Sequence, residues 1–174
     1  MQNRKMVYSA LFIALGIIIP IAFHAFGTTA GSMFLPMHIP VILAGAFLGP
    51  LSGMVVGALT PLLSSFFTGM PPVLPMLPIM FVELMVYGAA MGYLYHKQKY
   101  GIYSSLIITL ILGRVAVGID ALVLVHLFGI GGLPSNPLLY VQGSFLKGLP
   151  GIAIQLVLIP VLLKYLHSYQ RESI

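Results

Sequence analysis

Four ionisable side chains stand inside long apolar runs of this 174-residue chain: Glu83, Arg114, Asp120 and Lys147. Two of them share the stretch "LILGRVAVGIDALVLV" (110–125), which is otherwise aliphatic and small. A charge at the centre of a membrane helix costs about 2.5–3.5 kcal/mol on insertion scales, so such residues face a bundle interior, pair with one another, or mark a solute path. At about 1.5 Å of rise per helical residue, Glu83 lies about 21 Å from Lys97 and Arg114 about 22 Å from Lys99. By the same rise, Lys147 lies about 25 Å from Lys164, and Asp120 about 31 Å from Lys99. All four therefore fall in the outer half of a hydrocarbon core about 30 Å thick. Arg114 and Asp120 are about 120° apart around one helix and make poor partners for each other. Glu83 with Arg114 or Lys147 is a suitable interhelical pair.

Two readings of this set compete. One is structural: ion pairs that fix helix packing. The other is a polar cavity, open to the outside, that binds a small polar solute. Convergence of the charges at one depth, with none in the inner half, favours the cavity. Two acids against two bases suit a zwitterion or an anion equally. Tyr87 follows Glu83 by four residues and shares its helix face, where it can stack on or hydrogen-bond a ligand or simply fill the core. His38, in "LPMHIP", opens a span between two prolines, either as a satisfied helix-start histidine or as a pocket contact. His24 and His126 are read as structural, and His96 and His167 as part of the inner basic flanks. No two histidines have metal-ligand spacing.

The elements that must position these residues are membrane helices. Hydrophobic residues make up 59% of the chain and charged residues only 6%, with no cysteine or tryptophan. Soluble proteins carry about 25% charged residues, so this chain cannot cover a water-facing surface. The absence of cysteine excludes disulfides, thiolate metal sites and cysteine catalysis. A helical span needs about 20 apolar residues. The expected fold is an all-α integral membrane bundle, one domain over 1–174, with six spans at about 6–26, 37–49, 51–67, 76–95, 102–128 and 138–166. The first run lacks a small-residue cleavage site and reads as a retained span. Residues 27–36, "GTTAGSMFLP", read as a loop. "TGMPPVLPMLP" (68–78) holds too many prolines for a helix interior, and "GIGGLPSNP" (129–137) is turn-rich. These outer segments are suited to lie over a cavity. Gly49-Pro50 alone separates spans two and three.

Arg4 and Lys5, Lys97 and Lys99, and Lys164 and Arg171 bracket alternate spans, while the other loops carry no Lys or Arg. Six spans place these clusters on one side, predicted to be cytoplasmic together with both termini. The basic balance is thus assigned to orientation, not to nucleic acid. Glycine pairs four apart, Gly45/Gly49, Gly53/Gly57 and Gly88/Gly92, allow close helix approach. Ala10 and Ala14 make a smooth strip on span one, for internal packing or for another subunit's helix. No phosphate-binding loop of the G-x-x-x-x-G-K-[ST] type is present, and "GSFLKGLPG" (143–151) has the wrong spacing. No hydrolytic triad or paired-carboxylate arrangement is visible, nor an internal repeat of the inverted-repeat kind. A binding cavity with no engine of its own suggests a subunit that draws energy from partners.

The alanine pair Ala10-x-x-x-Ala14, the stretch "FLPMHIPVILAGAFLGPLSGMVVGALTPLLSSFFTGMPP" (34–72) and "MFVELMVYGAAMGYLY" (80–95) resemble the substrate-binding S components of energy-coupling factor (ECF) vitamin transporters. The resemblance covers nearly the whole chain. It implies a prokaryotic, multi-pass cell-membrane protein that is not an enzyme and needs no cofactor or metal. Such a subunit captures a vitamin or precursor from outside, with the loop between spans one and two as gate. Ala10 and Ala14 would meet the coupling helices of a transmembrane ECF subunit seated on two ATPases, and the subunit would topple to deliver its solute. The implied pocket set is Glu83, Tyr87, Arg114, Asp120 and Lys147, with His38 near the gate. The branch it most resembles is pantothenate-type: Arg114 or Lys147 would take the carboxylate, and Glu83 and Asp120 the hydroxyls and amide. Pyridoxine, hydroxymethylpyrimidine, folate and cobalamin belong to related branches. The alternatives are an autonomous small-solute carrier or channel, which would conduct alone, a membrane-embedded enzyme, which would turn over a substrate, and a scaffold, which would bind nothing.

Overall fold

A computed structural model describes residues 2–24, 28–129 and 136–172. They form α1 (Gln2–His24), α2 (Thr28–Phe34), α3 (His38–Leu48), α4 (Pro50–Thr68), α5 (Met76–Met91), a π-helical turn (Gly92–Lys97), α6 (Ile102–His126) and α7 (Pro137–Glu172). No strand occurs among the described residues. Among the described residues, six helical segments are long and apolar enough to cross a membrane. The expected all-α six-span bundle is therefore the observed architecture. An even number of crossings returns the chain to its starting side, so Arg4, Lys5, Lys97, Lys99 and Lys164 share one end, here called the basic end.

Burial is inverted relative to a water-soluble protein. Large apolar side chains on α4, α6 and α7, among them Leu51, Phe66, Ile111, Ile119, Val157 and Val161, are exposed. Polar Thr60, Ser64, Glu83, Thr109 and Gln155 are buried. An exposed apolar surface of this extent is stable only against lipid or another apolar partner.

Within the expected loop at 27–36, the described residues depart from that reading. Thr28–Phe34 is helical, and the second crossing runs Gly31–Leu48 with a break near Leu35–Met37. The segment 28–34 contains no proline, and it packs on α7: a side chain at Gly151 would meet the Phe34 carbonyl at 2.6 Å. Phe23 of α1 packs its ring 5.6 Å from that of Phe34. The break follows from Pro36, which disfavours the helical region for the residue before it. Leu35 takes φ of 50°, and α3 restarts at His38.

At the basic end, Gly49 with φ of 95° turns α3 into α4 in a single residue, and Pro50 opens the new helix. Proline is suited to that first position because its missing N–H would be unpaired there anyway. His96 closes this corner, with Nδ1 3.1 Å from the Ala46 carbonyl. The α4–α5 crossing is backbone on backbone: a methyl at Gly53 would overlap the Gly88 carbonyl, and one at Gly92 would meet Pro50 Cα at 2.5 Å. At the opposite end, the proline-rich link from α4 to α5 is pinned. Ser64 and Ser65 hydroxyls donate to the Met70 and Pro71 carbonyls at 2.7 and 2.8 Å.

Candidate functional site

Glu83 is the hub. It sits mid-helix on α5 and is 5% exposed. One turn on, Tyr87 donates its hydroxyl to Glu83 Oε1 at 3.1 Å. From α6, Arg114 Nη1 reaches the same oxygen at 3.1 Å. From α3, His38 Nε2 stands 3.6 Å from Oε2, and the His38 and Tyr87 rings lie 5.2 Å apart at 59°. The helix break at Leu35–Met37 is what brings His38 to this depth.

Two glycines make the convergence possible. At Gly113, even a methyl would overlap the Tyr87 ring. The next residue, Arg114, can therefore come close enough to pair with Glu83. At Gly148 on α7, a methyl would lie 3.0 Å from Leu35 Cδ1 and 3.4 Å from Arg114 Nη2. The guanidinium is thus wedged between α7 and the α2–α3 break, with Nε and Nη2 buried and without a hydrogen-bond partner among the described residues.

Above this cluster, toward the end opposite the basic one, opens a cavity of about 800 Å³. His38, Glu83 and Arg114 are on its wall. A run from the proline-rich link into α5 supplies an apolar side through Met70, Pro71, Pro72, Met76, Ile79 and Met80. Tyr140, Ser144 and Lys147 supply a polar side from α7. Their spacing of four and three residues keeps them on one helix face. The two sides meet where the Tyr140 hydroxyl contacts Met76 Sδ at 3.7 Å.

Of the residues singled out from sequence, His38, Glu83, Arg114 and Lys147 thus share the cavity. Tyr87 is fully buried behind Glu83 and does not line it. Asp120 does not line it either. It lies nearly one turn beyond Val117, the last cavity residue of α6, with Oδ2 buried and unpartnered among the described residues. Ala10 and Ala14 are exposed on α1, among exposed Val7, Leu11 and Leu15. His126 sits outside the cavity, Nδ1 3.2 Å from the Leu122 carbonyl. The His24 and His167 side chains and loop residues 130–135 lie outside the described residues. Among the described residues, no group of three His, Asp or Glu can hold a metal ion.

Sequence reasoning did not single out Tyr140, Ser144 or the methionine side. The helical spacing of Tyr140, Ser144 and Lys147 was a readable signal. The methionines were not, because their shared wall depends on how the proline-rich link folds back on α4. Methionine is flexible and polarisable, and it moulds around varied ligand shapes.

Fold and site together define a six-span membrane protein with a solute-sized chamber whose floor is a neutralised charge cluster. Over residues 4–163, the chain matches the family model described as ECF transporter, substrate-specific component. The protein belongs to that family, and so is a transport protein of the membrane. No curated protein and no solved structure matches the chain.

Proposed function

We propose that this protein is the solute-capturing subunit of an ATP-driven importer in a prokaryotic cell membrane. It takes a small water-soluble vitamin or precursor from outside and passes it inward together with a transmembrane coupling subunit and two ATPases. Pantothenate is the favoured solute. His38, Glu83, Arg114 and Lys147 form the polar part of the pocket, with Tyr87 holding Glu83. The observation that carries the reading is the cavity itself. Its size falls within the range of about 300–1,000 Å³ typical of small-molecule sites, and it joins a mostly apolar lining to a few polar groups.

The charge balance supports an acidic solute. With Asp120 off the wall, the charged wall residues are Arg114 and Lys147 against Glu83, an excess of one positive charge. Orientation follows the lysines and arginines: the basic end faces the cytoplasm and the cavity opens outward. Ala10 and Ala14 form the strip that receives the coupling subunit. Catalysis is not part of the reading, which follows the family of transport components that the chain matches.

The test is binding by the isolated chain, followed by transport. Purified protein should bind pantothenate in isothermal titration, and liposomes should accumulate it only when the coupling subunit, both ATPases and ATP are present. Flux through the chain alone would replace this reading with an autonomous carrier, and turnover of the solute would replace it with an enzyme.

A further inference from the structure

Both cations on the cavity wall looked equally fit to hold an anion when only their sequence positions were known; their surroundings are not equal. Arg114 is already committed. Its Nη1 bonds Glu83, which also accepts from Tyr87. Its other two nitrogens are closed off from solvent beside Gly148 and Leu35. A carboxylate needs the open fork of a guanidinium for bidentate pairing, and that fork is shut here. Lys147 is the reverse. It is exposed, it lines the cavity, and no ion pair joins it to Glu83 or Asp120. An ammonium on a largely apolar wall within a membrane lacks the compensation that intramembrane charges usually find.

We propose that Lys147 is the residue that selects an anionic solute, and that Arg114 is a positioning residue that neutralises and holds Glu83. This deepens the solute-capture reading and rests on it. The ligand's anionic group lies at Lys147, on the α7 side with Ser144 and Tyr140. Its apolar body lies against Met70, Met76, Ile79 and Met80. Glu83 Oε2, which faces His38, is left to accept a ligand hydroxyl or amide. The solute class is thus an amphiphilic small molecule with one terminal carboxylate or comparable anion.

Acid and neutral pairs of otherwise matching solutes test this by isothermal titration: pantothenate against pantothenol, nicotinate against nicotinamide, and biotin against biotin amide. Wild type should bind the acid of at least one pair ten-fold or more tighter than its neutral partner. Lys147→Gln should collapse that ratio toward one, and Lys147→Arg should keep most of it. A purely structural lysine would not change the ratio. If wild type binds acid and neutral forms alike, or if Lys147→Gln keeps the preference, the assignment of Lys147 is overturned while solute capture stands. If wild type binds no member of any pair, the assignment is overturned too; if it also fails to bind pyridoxine, hydroxymethylpyrimidine, folate and cobalamin, solute capture falls with it.

Discussion

Neutralising Arg114 and Glu83 together should cost this protein far less than the sum of the two separate losses. The pair is 3.1 Å apart, with side chains 12% and 6% exposed, so solvent screens it little. At an effective dielectric of about 20, Coulomb attraction at that distance is roughly 5 kcal/mol. Desolvation offsets much of this, and removing one partner of a buried pair costs about 3–5 kcal/mol because a bare charge stays behind. Arg114→Gln and Glu83→Gln should each destabilise by about 3 kcal/mol. The double variant removes both charges and should cost only about 3–4 kcal/mol in all, a coupling of roughly 2–3 kcal/mol. Unfolding by rising SDS fraction in mixed micelles, followed by helical circular dichroism, gives the four free energies. Costs that simply add would refute a mutually dependent pair.

The same four proteins report on binding. Arg114→Gln leaves the Glu83 carboxylate uncompensated in the cavity, where it opposes an anionic solute. Affinity for the preferred acid should fall roughly 10- to 100-fold, about 1.4–2.8 kcal/mol. Adding Glu83→Gln should recover most of that loss. A double variant as weak as Arg114→Gln would mean that the arginine holds the anion itself, and the locked-pair argument would fail.

Gly113→Leu forces a side chain into the space of the Tyr87 ring; overpacking of this kind costs about 1–3 kcal/mol, and solute affinity should drop as Glu83 loses its tyrosine. Unchanged affinity in a folded Gly113→Leu protein would show that the Tyr87 contact is dispensable. Ala10→Trp combined with Ala14→Trp should leave solute binding intact, since both positions face away from the cavity, yet abolish uptake with the coupling subunit and ATPases. Persisting uptake would remove the docking role from α1.

The sequence by itself determined the number of helical crossings and which termini and loops share an end of the bundle. Run length and the spacing of lysines and arginines are one-dimensional quantities, and lipid leaves a helix as the only way to satisfy the backbone of an isolated span. It also placed Tyr87 beside Glu83, because residues four apart on a helix meet whatever surrounds them. Gly49-Pro50 marked the corner between α3 and α4 for an equally local reason. What lay beyond its reach depended on how helices rotate and cross. Tertiary packing chose Arg114 over Lys147 as partner of Glu83, because Gly113 and Gly148 let that guanidinium in. It turned Asp120 off the cavity wall, made Thr28–Phe34 a helix against α7, and folded the proline-rich link into an apolar side. Each of these rests on close approach between elements distant in the chain, which no local pattern encodes.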